Sequence, residues 1–147
     1  MDTESLRVEL GKATERGLSF LRSLGFDFAG VTEHATDALG TFMEGDYTNS
    51  KANRIVRVVY IPKQQGPGEL AITQITLVVP EPFDDFDYTS TGSMEVCVTD
   101  LSAAEGDWET RIEYHLRASE SALRNTFMAV LAGDFWQSDH IDWGGLK

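Results

Sequence analysis

The order of hydrophobic periods along this chain predicts an α+β fold: an antiparallel sheet of about five strands with an N-terminal and a C-terminal helix packed on one face. Three observations carry this. Apolar residues recur at three- and four-residue steps before residue 25, at steps of two across the middle, and at helical steps again after residue 108. The 147 residues suit one α+β domain spanning 1–147, large enough to bury about two-thirds of its unfolded surface. An apolar content of 41% supports a core rather than disorder.

The first element is a helix. Leu6, Leu10, Ala13, Gly17, Leu21 and Leu24 form one stripe, Asp2 or Thr3 is placed to cap its start, and Gly25 is placed to end it. Phe26-Asp27-Phe28 then opens a strand reaching about Glu33. Ala38 to Glu44 is a weaker second strand because of Gly40, and Tyr47 to Asn53 is rich in turn formers. Arg54 to Ile61 is the clearest strand: Val56, Val58 and Tyr60 share one face, Ile55, Val59 and Ile61 the other. Gln64-Gln65-Gly66-Pro67-Gly68 reads as a hairpin loop. In the return strand, Glu69 to Val79, the apolar parity changes between Ile72 and Ile75, which predicts a bulge near Thr73-Gln74. Pro80-Glu81-Pro82 is expected to close that strand. Ser90 to Ser93 reads as turn, and Met94 to Asp100 as the fifth strand.

Residues 108–117 fit two periods. Trp108, Thr110, Ile112, Tyr114 and Leu116 alternate with polar residues as a strand would. Yet Trp108, Ile112, Leu116, Ser119, Leu123, Phe127 and Leu131 form an unbroken helical stripe. The helix is preferred, because no turn signal interrupts the stripe before Gly133, and Asp107 then stands at the N-cap.

Charge narrows the function classes. Twenty-four acids against twelve bases leave a net −12, and residues 64–110 hold no Lys or Arg. That stretch carries Glu69, Glu81, Asp84, Asp85, Asp87, Glu95, Asp100, Glu105, Asp107 and Glu109. Such a field repels nucleic acid and anionic lipid and attracts a basic protein surface. The densest part alternates acids with aromatics, so Glu81, Phe83, Asp84, Asp85, Phe86, Asp87 and Tyr88 are the candidate partner-binding residues. The bland account of the same residues is a solvated loop covering the edge of the core. Cys97 is the only cysteine, in a strand-like run without a neighbouring His or Lys, and reads as an inert thiol in a reducing compartment. The N-terminus lacks the apolar run of a signal peptide, and no segment reaches the length of a membrane span. A cytoplasmic protein is expected.

Catalytic patterns are sparse. His34, His115 and His140 each have an acid close in sequence, and Asp139-His140-Ile141-Asp142 offers three ligands but no fourth. There is no Gly-x-Ser-x-Gly elbow and no phosphate-binding glycine loop. No catalytic residue, metal site or cofactor is assigned.

The segment Leu116-Arg117-Ala118, Leu123 and Phe127 to Phe135, ending Leu131-Ala132-Gly133-Asp134-Phe135, resembles the closing helix of small bacterial immunity-type proteins. These neutralise toxins of contact-dependent or secreted polymorphic systems. The opening phrase Phe20-Leu21 with Leu24-Gly25-Phe26-Asp27, followed by a strand hairpin, is similar too. The resemblance implies a stoichiometric, non-catalytic inhibitor, acidic where its toxin is basic. It supplies no fixed binding motif. The expected partner is therefore a basic protein, such as a secreted toxin domain, with neither nucleic acid nor membrane. Two alternatives stay open: a hydrolase using Asp84 or Asp85 with His34 or His115, and a homodimeric scaffold formed through a sheet edge or the Trp136–Trp143 tail.

Overall fold

The computed structural model describes residues 3–37, 40–62, 70–85, 88–100 and 106–133, and for 3, 62, 70–74, 79–85, 88–94 and 98–100 the backbone alone. Their order is α1 (Thr3–Gly17), α2 (Phe20–Ser23), β1 (Asp27–Thr36), β2 (Gly40–Asn49), β3 (Arg54–Pro62), β4 (Leu70–Asp85), β5 (Tyr88–Asp100), α3 (Trp108–Thr126) and α4 (Met128–Leu131). The strands form one antiparallel meander, β1-β2-β3-β4-β5. The predicted α+β architecture is the one observed. Among the described residues, no helix is long and apolar enough to cross a membrane.

The N-terminal stripe is divided between two helices. Gly17, a poor helix former, ends α1, and the chain re-enters α2 after Leu18 and Ser19. At the end of α2, Gly25 adopts φ +95°, Phe26 N–H donates to Leu21 O at 3.0 Å and Gly25 N–H to Arg22 O at 3.0 Å. That pair of bonds is a Schellman cap, and Phe26 and Leu21 are both buried beside it. β2 is longer than the sequence suggests. It absorbs Tyr47 to Asn49, because Tyr47 is fully buried against the helices and its strand is held in register from Met43↔Tyr60 to Asn49↔Arg54.

β4 contains an extra residue, but not at Thr73-Gln74. Ile61 pairs with Ile72 and Pro62 with Leu70, which leaves Ala71 as the bulged residue; Pro62 has no N–H to keep the ladder regular there. The Gln64–Gly68 loop lies outside the described residues, as do Asp2, Trp136, Trp143 and the Asp139–Asp142 group.

The 108–131 stripe is helical. Asp107 accepts from Thr110 N–H at 2.8 Å as N-cap, and Ile112, Leu116, Ser119, Leu123 and Leu131 are buried, with Trp108 and Phe127 packed against the core. Phe127 departs from helical dihedrals, yet it still donates to Leu123 O and accepts from Leu131 N–H. Gly133, φ +81°, ends the run as predicted.

The helices cover the sheet face carrying Tyr47, Val56, Val58, Tyr60, Ile75 and Leu77, all fully buried. A β-carbon at Gly17 would stand 2.8–2.9 Å from Leu116 Cδ1 and Cβ, so α1 and α3 approach closely only because position 17 lacks one. Gly17→Ala is expected to lower stability by about 1–2 kcal/mol despite its better helix propensity. In a Leu116→Ala background, which removes Cδ1 but keeps Cβ, the same change should cost distinctly less. A double-mutant cycle by urea unfolding checks this, and additive costs would contradict the contact.

Candidate functional site

The acidic-aromatic segment is a strand hairpin, not the loop that the prolines suggested. β4 continues past Pro80-Glu81-Pro82 to Asp85, and β5 begins at Tyr88, absorbing the predicted turn at Ser90–Ser93. Phe83 pairs with Ser90, Asp84 with Thr89 and Asp85 with Tyr88. From Val79 to Phe83 four steps on β4 oppose two on β5, from Gly92 to Ser90. Two prolines without N–H donors explain why regular pairing lapses there and resumes beyond them. Of the candidate residues, the backbone thus places Glu81, Phe83, Asp84 and Asp85 at the end of β4 and Tyr88 directly opposite Asp85. Phe86 and Asp87 lie outside the described residues.

The pairing of acids with histidines that a hydrolase would need is not assembled by this sheet. His34 lies on β1, an edge strand, level with Phe42, whose ring it stacks on at 5.6 Å. Register carries the neighbouring Met43 to Tyr60 and Tyr60 to Thr73, eleven residues before Asp84. At about 3.3 Å per residue that is roughly 36 Å along the strand. His115 sits on the inner face of α3 with no solvent exposure, and burial lowers its pKa to about 4. Its carbonyl accepts from the Ser119 hydroxyl at 2.8 Å, and the same hydroxyl oxygen lies 3.3 Å from Nε2. Among the described residues, no three His, Cys, Asp or Glu side chains cluster as metal ligands.

Sequence reasoning passed over the polar groups that fix the helices. Tyr47 and Tyr60 are fully buried on β2 and β3, beneath α1. The Thr14 hydroxyl donates to Leu10 O at 2.6 Å, so Tyr60 donates its own hydroxyl to Thr14 Oγ. Tyr47 donates to the carbonyls of Glu15 and Thr14 at 3.2 and 3.3 Å. Burial pushes Tyr47 up to about 12, helped by the charge of Glu15, and raises Tyr60 as well. Arg54, 5% exposed, donates from Nε to Val130 O at 2.8 Å and from Nη1 to Asn53 O at 2.9 Å. Burial lowers its pKa, while a helix C-terminus favours its positive charge. The visible signal was placement: Tyr60 and Arg54 share the inward parity of β3, and His115 adjoins the Leu116 stripe of α3.

Charge is sorted by layer. α1 holds Glu4, Glu9 and Glu15 with Arg7, Lys12 and Arg16; α3 holds Glu109, Glu113 and Glu120 with Arg111, Arg117 and Arg124. Each helix is therefore neutral. Arg7 pairs with Glu4, Lys12 with Glu9, Arg117 with Glu113 and Arg124 with Glu120. The five strands hold nine acids against Arg54 and Arg57, a net −7. A groove of about 410 Å³ between α1 and α3 has Ala13, Gly17, Trp108 and Leu116 in its lining, but the Lys12 and Arg117 at its rim already have acid partners.

Comparison with protein-family models, curated proteins and solved structures gives no match.

The His115 shift predicts a pH dependence of a definite sign. Its folded pKa, about 4, lies below the unfolded value of about 6.5, so the unfolded chain binds the extra proton. This contribution to stability is complete above pH 6.5 and is lost as pH falls toward 4, about 3 kcal/mol in all. Denaturant unfolding between pH 4 and 7 should show a steeper loss for the native protein than for His115→Gln. Equal slopes would contradict a neutral buried imidazole.

Proposed function

We propose that this chain is a non-catalytic protein-binding module, an acidic inhibitor of the immunity type that masks a basic site on a toxin-like partner in the cytoplasm. The observation that carries the reading is the distribution of charge. The helices neutralise themselves, while the strands keep a net −7 and residues 64–110 hold no base. An excess held largely by the sheet and the connecting segments, over two self-neutralising helices, gives the molecule a directional field, whereas acids dispersed for solubility alone would not need segregation.

The chemistry of masking follows from carboxylates. A toxin that acts on nucleic acid or another anion holds Lys and Arg where the anion sits, and acids presented by an inhibitor can occupy those positions. Glu81, Asp84 and Asp85 lie toward the end of β4 with Tyr88 opposite Asp85, and in sequence Asp87 joins these acids while Phe83, Phe86 and Tyr88 alternate with them to add apolar area once the charges have met.

Affinity capture from host lysate, read by mass spectrometry, tests the proposal. A stoichiometric basic partner should be retained at about 50 mM salt and released by roughly 300 mM, where screening is much stronger. Asp84→Asn, Asp85→Asn and Asp87→Asn together should slow its association at low salt about tenfold. Association unchanged by the triple substitution would remove the hairpin from the interface, and the absence of any basic partner would remove the inhibitor reading.

A further inference from the structure

The arm formed by the ends of β4 and β5 has two unlike faces. β3 pairs with β4 no further toward it than Ile55↔Val78, and β4 is flanked in the sheet by β3 and β5 alone, so from Phe83 onward the described ladder is two strands wide. Residues directly opposite in an antiparallel pair share a face, as do residues two apart on one strand. Phe83↔Ser90 and Asp85↔Tyr88 are opposite pairs, and Phe83 and Asp85 are two apart. Phe83, Asp85, Tyr88 and Ser90 therefore occupy one face, and Asp84 with Thr89 the other.

The first face sets one acid between two aromatic positions. Asp85 is directly across from Tyr88, at a β-carbon spacing of about 5 Å, while Phe83 and Tyr88 are diagonal neighbours, about 7–8 Å apart. Aromatics that merely extended the core would not share their face with an acid, because a carboxylate drawn into apolar surroundings needs a cation. The strands alongside supply none. Residues 64–110 hold no Lys or Arg, Arg54 of β3 donates to Val130 O and Asn53 O, and Arg57 is held by Glu44 and Asp46. A cation from outside fits the set, and arginine fits better than lysine. Its planar guanidinium can stack on a ring while its N–H fork meets a carboxylate, whereas an ammonium is a point charge. Ser90 gives the same face a further acceptor. Asp84, with Thr89 opposite, has no aromatic partner across the ladder.

We infer that the face of the β4–β5 arm shared by Phe83, Asp85 and Tyr88 binds an arginine side chain of the basic partner. The inference rests on the reading of the chain as a binder of basic proteins. It adds which residue type of the partner is recognised, and which of two adjacent acids recognises it. Asp84 and Asp85 contribute the same charge to the long-range field, but only Asp85 shares its face with Phe83 and Tyr88.

Tetra-arginine and tetra-lysine peptides carry equal charge, so together they separate this site from the general acidic field. Isothermal titration of the full chain at about 50 mM salt should show tetra-arginine binding about fivefold more tightly. Asp85→Asn should erase that preference, and Asp84→Asn, which removes the same charge one residue away, should keep it. Phe83→Leu and Tyr88→Leu, which retain apolar bulk, should each weaken tetra-arginine about threefold and leave tetra-lysine unchanged. Asparagine matches aspartate in shape, so the comparison of Asp84→Asn with Asp85→Asn holds even where a ring substitution loosens the arm. Equal losses from those two variants, equal affinity for both peptides, or no binding of either would overturn the site. In each of those cases a salt-released basic partner captured from lysate would leave the inhibitor reading standing. An arginine preference lost only in Asp85→Asn, with no such partner captured, would keep the site and remove the inhibitor reading.

Discussion

The hydroxyl relay under α1 sets the position of everything packed above the sheet. Tyr47 and Tyr60 come from adjacent strands, and each spends its only O–H proton on the same turn of one helix: Tyr60 on Thr14 Oγ, Tyr47 on the carbonyls of Thr14 and Glu15. Apolar packing alone is non-directional and leaves a helix free to slide by fractions of a turn. Two buried hydroxyls that must find acceptors do not allow that, because a displaced helix leaves each of them unsatisfied at about 1–3 kcal/mol. With α1 so fixed, Gly17 lies where Leu116 of α3 can meet the helix backbone, and α3 inherits its position from α1. The far end of that helical run is fixed separately, by Arg54 reaching from β3 to Val130 O. Asn49 makes the matching link, donating to Leu24 O at the end of α2 while its Oδ1 accepts from Ala52 N–H.

This arrangement uses up the cations. Seven of the twelve bases lie on helices, where i,i+3 and i,i+4 spacing provides acid partners within reach. Such exposed pairs add little to stability, typically under about 1 kcal/mol each. Their larger effect is on the field, since neutral helices α1 and α3 leave the sheet, at net −7, as the larger source of negative potential. Arg54 and Arg57 stand in the sheet, but Arg54 is buried against Val130 O and Glu44 and Asp46 outnumber Arg57.

How much of this was legible in the sequence depended on whether the signal was periodic. The two helical stripes, the Gly25 and Gly133 endings and the Asp107 cap were all readable, because apolar spacing and capping chemistry are local. The ends of β2, β4 and β5 were not. Tyr47 sits among Thr, Asn and Ser, which read as turn until the buried hydroxyl draws it into β2. Pro80 and Pro82 read as a strand end because a proline removes one ladder bond, yet the pairing that resumes at Phe83↔Ser90 outweighs that loss. The candidate site was legible as a cluster and not as a geometry: its composition identified the acids, whereas their place on an extended hairpin follows from long-range register.

In the proposed binder, charge and apolar contact would divide the binding reaction between them in a physically sensible way. Charges act over a Debye length, about 8–10 Å at ordinary salt, so they raise the rate at which a basic partner arrives and orients. They do little to hold it, because exposed ion pairs are weak once formed. Apolar contact acts only when surfaces touch and water leaves, so it governs how long the complex lasts. A purely electrostatic inhibitor would release its target whenever ionic strength rose, and a purely apolar face would invite indiscriminate association. In the proposed interface Phe83 and Tyr88 alternate with Asp84 and Asp85 along one segment, so apolar contact there would come at low cost only to a partner that brings its own cations. An uncharged partner would leave those carboxylates desolvated without compensation, a penalty that rejects it.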